Sequence, residues 1–131
     1  MLKNKLKTKI KLSNNFTISN SNKCFIVAEI SANHSGSLNI LKKTMMAAKK
    51  AGANAVKIQT YEADSMTLKV KNKHFLINDE SIWKGQQLYD LYKKAETPYK
   101  WHNEIFSFAK RNKIFCFSAP FDLTAVDLLE K

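Results

Sequence analysis

The sequence lacks any Cys-x-x-Cys spacing: its two cysteines, Cys24 and Cys116, lie far apart, each inside an apolar run. That argues against a zinc site or a disulfide framework and predicts two buried thiols. No apolar stretch approaches the ~20 residues that a membrane-spanning helix needs. The N-terminus reads lysine, polar, lysine with no apolar segment behind it, so no secretion signal is visible; a cytoplasmic location and no membrane partner are expected. An RNA-binding aromatic motif, a helix-turn-helix and a zinc finger are also missing, which weakens nucleic acid as the meaning of a net charge of +11. Lys3, Lys5, Lys7, Lys9 and Lys11 supply much of that charge from one short segment. Solvated lysines account for it, and a positive field also favours anionic substrates.

What is present suffices for a folded domain: 131 residues, 44% of them apolar. Two alternating segments, Lys9 to Leu12 and Phe16 to Ile18, flank Asn14-Asn15, residues that tolerate a tight turn, and predict a β-hairpin. Cys24 to Ile30 is a nearly continuous apolar run, expected for a strand covered on both faces. Ser37 caps a predicted helix from Leu38 to Ala51, with Leu38, Leu41, Met45 and Ala48 at helical spacing and Gly52 as its stop. Ala55 to Thr60 then reads as a parallel strand, about 30 residues after the first, the length of one βαβ unit.

Tyr61 to Ile82 has no sustained period and is expected to be a long loop over the site. Leu88, Leu91, Tyr92 and Ala95 mark a helix. Thr97-Pro98 caps another whose buried face is Trp101, Ile105 and Phe108, ending at Asn112 in the left-handed conformation. Ile114 to Ser118 reads as the third strand, and Asp122 caps a final helix carrying Val126 and Leu129. Hairpin, β, α, β, loop, α, α, β, α fits the first three units of a (β/α)₈ TIM barrel, an α/β fold, with residues 1–22 as an extension and 23–131 as barrel. Three parallel strands cannot close a barrel, so the barrel is expected to be incomplete in this chain.

Side chains alternate along a strand, so Glu29, Lys57 with Gln59, and Ser118 are expected to face inward near the strands' C-terminal ends, where barrel enzymes keep their chemistry. Any one of them alone is more often an ion-pair member; three successive strands with the same placement weigh against that. The loop Ser31 to Ser37 adds Asn33, His34 and helix N-terminal amides on the same side, suited to an anion or a sugar. His34, His74 and His102 show no metal-ligand spacing, and no metal ligand is placed in the chain.

Three stretches then carry a resemblance: Phe25 to Leu38 (FIVAEISANHSGSL), Ala51 to Tyr61 (AGANAVKIQTY) and Phe117 to Asp122 (FSAPFD). Together they are similar to the sialic acid synthase family. Trp83, Leu88 to Tyr92 and Thr97 to His102 resemble its pseudaminate branch more than its neuraminate branch. The resemblance implies a barrel preceded by a hairpin, a C-terminal antifreeze-like domain, a homodimer, and a divalent cation, Mn²⁺ or Mg²⁺, whose ligands lie outside this chain. It implies condensation of phosphoenolpyruvate with 2,4-diacetamido-2,4,6-trideoxy-altrose to pseudaminic acid and phosphate. By position, Lys57 would hold phosphoenolpyruvate, Gln59 would bind the sugar, Glu29 would act at the sugar's reacting end, and Ser118 with Ala119 would border phosphoenolpyruvate. A neuraminate or legionaminate synthase and a non-catalytic basic binding module are the alternatives.

Overall fold

The structure, a computed structural model, describes residues 9–13 and 16–130. Strands β1 (Lys9–Ser13) and β2 (Phe16–Ser19) pair antiparallel as the expected hairpin, while the turn at Asn14-Asn15 falls outside the described residues. The hairpin is fixed by aromatic edges: Phe16 meets Phe25 at 5.3 Å and Phe115 at 5.6 Å between ring centroids.

Three strands, β3 (Val27–Ser31), β4 (Ala55–Thr60) and β5 (Phe115–Pro120), form one parallel sheet in the order β3-β4-β5. The first strand starts later than its apolar run predicts, because Cys24 and Phe25 have no ladder partner and Ile26 pairs with Asn54, whose side chain accepts from the Ile26 amide at 2.8 Å. Cys24 is exposed, which corrects the expectation of two buried thiols; only Cys116 is sheltered, and burial pushes its thiol up to about 12. The first strand is also not covered on both faces. Ile30 is buried, whereas Val27 and Glu29 on the other face are exposed.

Helix α1 (Leu38–Lys50) connects β3 to β4, its first turn capped by the Ser37 hydroxyl, which accepts from the Ile40 amide at 3.4 Å. Leu41 and Met45 are fully buried, one turn apart on the stripe that faces the sheet. The segment after β4 is less irregular than its sequence implies: it holds a single helical turn, α2 (Ala63–Met66), and a 3₁₀ turn at Lys73–Phe75 before α3 (Leu88–Ala95). Pro98 then leads into a 3₁₀ turn (Tyr99–Trp101) that runs into α4 (His102–Arg111). Thr97 does not cap it, since its hydroxyl turns to His34 instead. The left-handed residue after α4 is Lys113 (φ 52°), with Asn112 at φ −92°. Asp122 caps α5 (Leu123–Leu129), accepting from the Ala125 amide at 2.7 Å.

Ile30, Val56 and Ile58 from the sheet meet Leu41 and Met45 of α1 and Ile105 and Ala109 of α4 in one core. α1 and α4 therefore cover one face of the sheet. Among the described residues no helix is long and apolar enough to cross a membrane.

Candidate active site

The strand register decides which side chains meet. Glu29 of β3 pairs laterally with Lys57 of β4, which pairs with Phe117 of β5, and Gln59 pairs with Ala119. Neighbours across a sheet point to the same face, so Glu29, Lys57, Gln59, Phe117 and Ala119 share the face that α1 and α4 leave open. There Lys57 Nζ donates to Glu29 Oε2 at 2.6 Å. The side chains stay 36% and 42% exposed, open to an incoming ligand.

The other carboxylate oxygen of Glu29 is held by a local device. Register shifts between Glu29 and Ser31, and Ser31 sits at φ 51°, so both its amide (3.0 Å) and its hydroxyl (2.9 Å) donate to Oε1. Partial burial pushes the Glu29 carboxyl up, but the Lys57 ammonium and the two Ser31 donors outweigh it and hold the group below the ordinary carboxylate range. The product is an oriented, ionised carboxylate beside an ammonium with further N–H donors available, a pair suited to a substrate bearing both an anion and a polar carbonyl. Ser31 was not singled out from the sequence; the only signal was a hydroxyl residue two positions after a strand carboxylate.

Two expected site residues lie elsewhere. Ser118 pairs with Ile58, not with Lys57, and so faces the helices; its hydroxyl is 2.6 Å from Thr60 Oγ1, which is 2.7 Å from His102 Nε2. The expectation that Ser118 faces inward is corrected by this one-residue difference in parity. His102 Nδ1 donates to the Tyr99 carbonyl at 3.1 Å, so Nε2 accepts from Thr60, and Thr60 in turn accepts from Ser118. Burial pushes His102 down against the opposing pull of the Pro98 and Tyr99 carbonyls, which keeps it neutral.

His34, expected in the loop beside the site, is fully buried. Its Nδ1 accepts from the Gly36 amide at 3.1 Å, its Nε2 lies 3.3 Å from Thr97 Oγ1, and its ring meets the edge of Trp101 at 5.5 Å. Burial pushes its imidazole down. Asn33, by contrast, is exposed and lines a cavity of about 510 Å³ between the β3–α1 loop and α3. A separate apolar hollow of about 380 Å³ between α4 and β5 contains none of these residues.

The sequence model of the NeuB family matches residues 44–131. The chain belongs to the NeuB family. It is 50% identical over 109 residues to the pseudaminic acid synthase of Campylobacter jejuni subsp. jejuni, a match covering 83% of this chain and 32% of that protein. It is 38% identical over 114 residues to the N,N'-diacetyllegionaminic acid synthase of the same organism, again covering 83% and 32%. The crystal structure of an N-acetylneuraminic acid synthetase from Leptospira borgpetersenii superposes with a TM-score of 0.73 at 29% identity, over 93% of this chain and 37% of that one. The chain thus spans about a third of the length of the curated relatives it matches.

The divalent cation implied by the family resemblance does not fit the described residues. No three His, Cys, Asp or Glu side chains among them are grouped to hold a metal. His34 and His102 already use both ring nitrogens in hydrogen bonds. What this NeuB segment arranges is the Glu29–Lys57 pair and the loop beside it.

Proposed function

We propose that this chain supplies part of the active site of a phosphoenolpyruvate-dependent synthase of nine-carbon sugar acids, of the pseudaminate type. The substrates are phosphoenolpyruvate and open-chain 2,4-diacetamido-2,4,6-trideoxy-altrose. C3 of phosphoenolpyruvate forms a bond to the aldehyde carbon, water adds at C2, and phosphate leaves with the electrons of the broken ester bond. The observation that carries this reading is the Lys57–Glu29 pair on the open face at 2.6 Å. Lys57 keeps donors for the carboxylate or phosphate of phosphoenolpyruvate. Glu29, ionised and fixed by Ser31, orients the aldehyde end or accepts a proton there. Gln59, two residues beyond Lys57 on the same face, is assigned to the sugar. The pseudaminic acid synthase at 50% identity supports this sugar; the 38% likeness to a legionaminic acid synthase supports a second reading with the same chemistry and a different sugar.

Phosphoenolpyruvate binding by titration calorimetry tests the assignment. Lys57→Ala weakens it by about 1.5–3 kcal/mol, the range of a hydrogen bond to a charged group, while Glu29→Gln, which preserves shape, leaves it nearly unchanged. Equal phosphoenolpyruvate affinity in the parent and in Lys57→Ala overturns the assignment. A chain that binds no phosphoenolpyruvate at all favours a basic binding module instead.

A further inference from the structure

The surface of α1 turned away from the sheet carries charge of one sign. Lys42, Lys43, Lys49 and Lys50 lie on this helix, which has no acidic residue. Residues seven apart return to one side of a helix, so Lys42 aligns with Lys49 and Lys43 with Lys50. The first line runs along the seam with α4. Lys42 Nζ donates to Glu104 at 2.8 Å and stands over the Phe108 ring at 5.4 Å, while Lys49 Nζ donates to the Asn112 carbonyl. Arg111 of α4 meets the same Glu104 at 3.0 Å. The two helices hold no other carboxylate, and among the described residues no ion pair engages Lys43, Lys49 or Lys50.

Between the two lysine lines the surface is apolar and hollow. Met46, 36% exposed, stands there, and two adjoining depressions share it. One, of about 410 Å³, is bounded by Lys42, Lys43 and Phe108; the other, of about 500 Å³, by Ala47, Lys49 and Lys50. Charge complementarity selects an acidic occupant. A second copy of this chain would bring the same lysines and be repelled. A nucleic-acid backbone or a layer of lipid headgroups supplies negative charge but no side chain to enter a hollow centred on a methionine. A helix supplies both, because its side chains form ridges that seat in the grooves of another helix pair. Carboxylates seven residues apart on such a helix stand about 10 Å apart along its axis. The same rise separates Lys43 from Lys50.

We infer that the outer surface of α1 and α4 docks an acidic amphipathic helix of another protein. Its carboxylates meet the two lysine lines, and an apolar side chain between them seats against Met46 and Phe108. The inference is independent of the synthase reading, since Glu29 and Lys57 lie on the opposite face of the sheet.

The test is fluorescence anisotropy on the whole chain, with a labelled synthetic helical peptide that carries glutamates seven positions apart and leucines between them. The peptide binds the parent chain, and added salt weakens the binding. Lys43→Glu combined with Lys50→Glu, both at exposed positions, weakens it about tenfold or more. A peptide with lysines in place of the glutamates then binds that variant better than it binds the parent. Met46→Ser, also at an exposed position, weakens the acidic peptide about threefold or more. Lys71→Glu combined with Lys73→Glu, the same change of charge on the segment before α3, leaves its affinity unchanged. Equal losses from the two charge reversals reveal diffuse attraction and overturn the docking site. So does a Met46→Ser chain that binds as the parent does, or a parent chain that binds no peptide. Tighter binding of phosphatidylserine vesicles or duplex DNA than of the peptide through the same lysines overturns the protein partner. None of these results touches phosphoenolpyruvate binding through Lys57, which stands or falls by its own titration.

Discussion

The two faces of the three-stranded sheet are built by the same strands and differ in nearly every property. On one face Ile30, Val56, Ile58 and Thr60 are buried beneath α1 and α4. On the other, Val27 and Phe117 are 39% and 43% exposed and flank the charged pair of Glu29 and Lys57. The closed face makes the fold, with one polar chain through Ser118, Thr60 and His102 stitched into it. Beyond the Phe16, Phe25 and Phe115 cluster at its N-terminal end, the open face has little packing to lose and keeps its polar groups available. Stability and chemistry are thus separated by the strand period of two, and a substitution should reveal which face it is on.

The sharpest contrast is between Ile58 and Phe117. Ile58→Ala on the closed face removes a fully buried side chain and is expected to cost about 2–5 kcal/mol in urea unfolding. Phe117→Ala on the open face should cost well under half of that. Similar losses from both would mean that the faces are not energetically distinct. Next in size is Thr60→Val, which keeps the shape but leaves the buried His102 ring nitrogen without a donor, while the Ser118 hydroxyl keeps the Ile58 carbonyl as its acceptor at 3.2 Å. A loss of about 1–3 kcal/mol is expected from the unsatisfied nitrogen, read from the same unfolding curves.

The closed face also carries a pH dependence. His34 and His102 both titrate below their ordinary 6.5 because burial disfavours their charged forms. The unfolded chain therefore takes up protons near 6.5 before the native chain does, and stability rises with pH through that region. It is present above 6.5 and lost as the pH falls toward and through the native values. Denaturation midpoints measured at pH about 7.5 and about 5.5 should fall in that order, and His102→Gln should flatten the difference. A midpoint that rises on acidification contradicts two buried neutral imidazoles.

The smallest effect on stability belongs to the open face. Glu29→Gln breaks a pair that solvent already screens and should cost less than about 1 kcal/mol, while turnover in an active assembly falls. A large loss of stability from Glu29→Gln would recast the pair as structural.

Much of this was legible from residues alone. Helix α1 was predicted to within one residue because a Ser37 cap, a periodic apolar stripe and a following glycine are local signals. The strand β4 was predicted as observed, and the family resemblance rested on contiguous motifs, of which Ala51 to Tyr61 and Phe117 to Asp122 fall within the NeuB match. The placement of Lys57 and Gln59 together followed from their spacing of two within one strand. The sense of Ser118 was not legible, because it depends on how β5 is registered against β4, and an offset of one residue turns every side chain to the other face. Nor was the burial of His34, whose partners Thr97 and Trp101 are distant in sequence and meet it only when α3 and the following turn fold back onto the loop. By itself the sequence determined periods, caps and motifs, because these depend on neighbours along the chain. Which side chains share a face, and which histidines are withdrawn from solvent, was decided only by the tertiary structure, because those depend on neighbours across space.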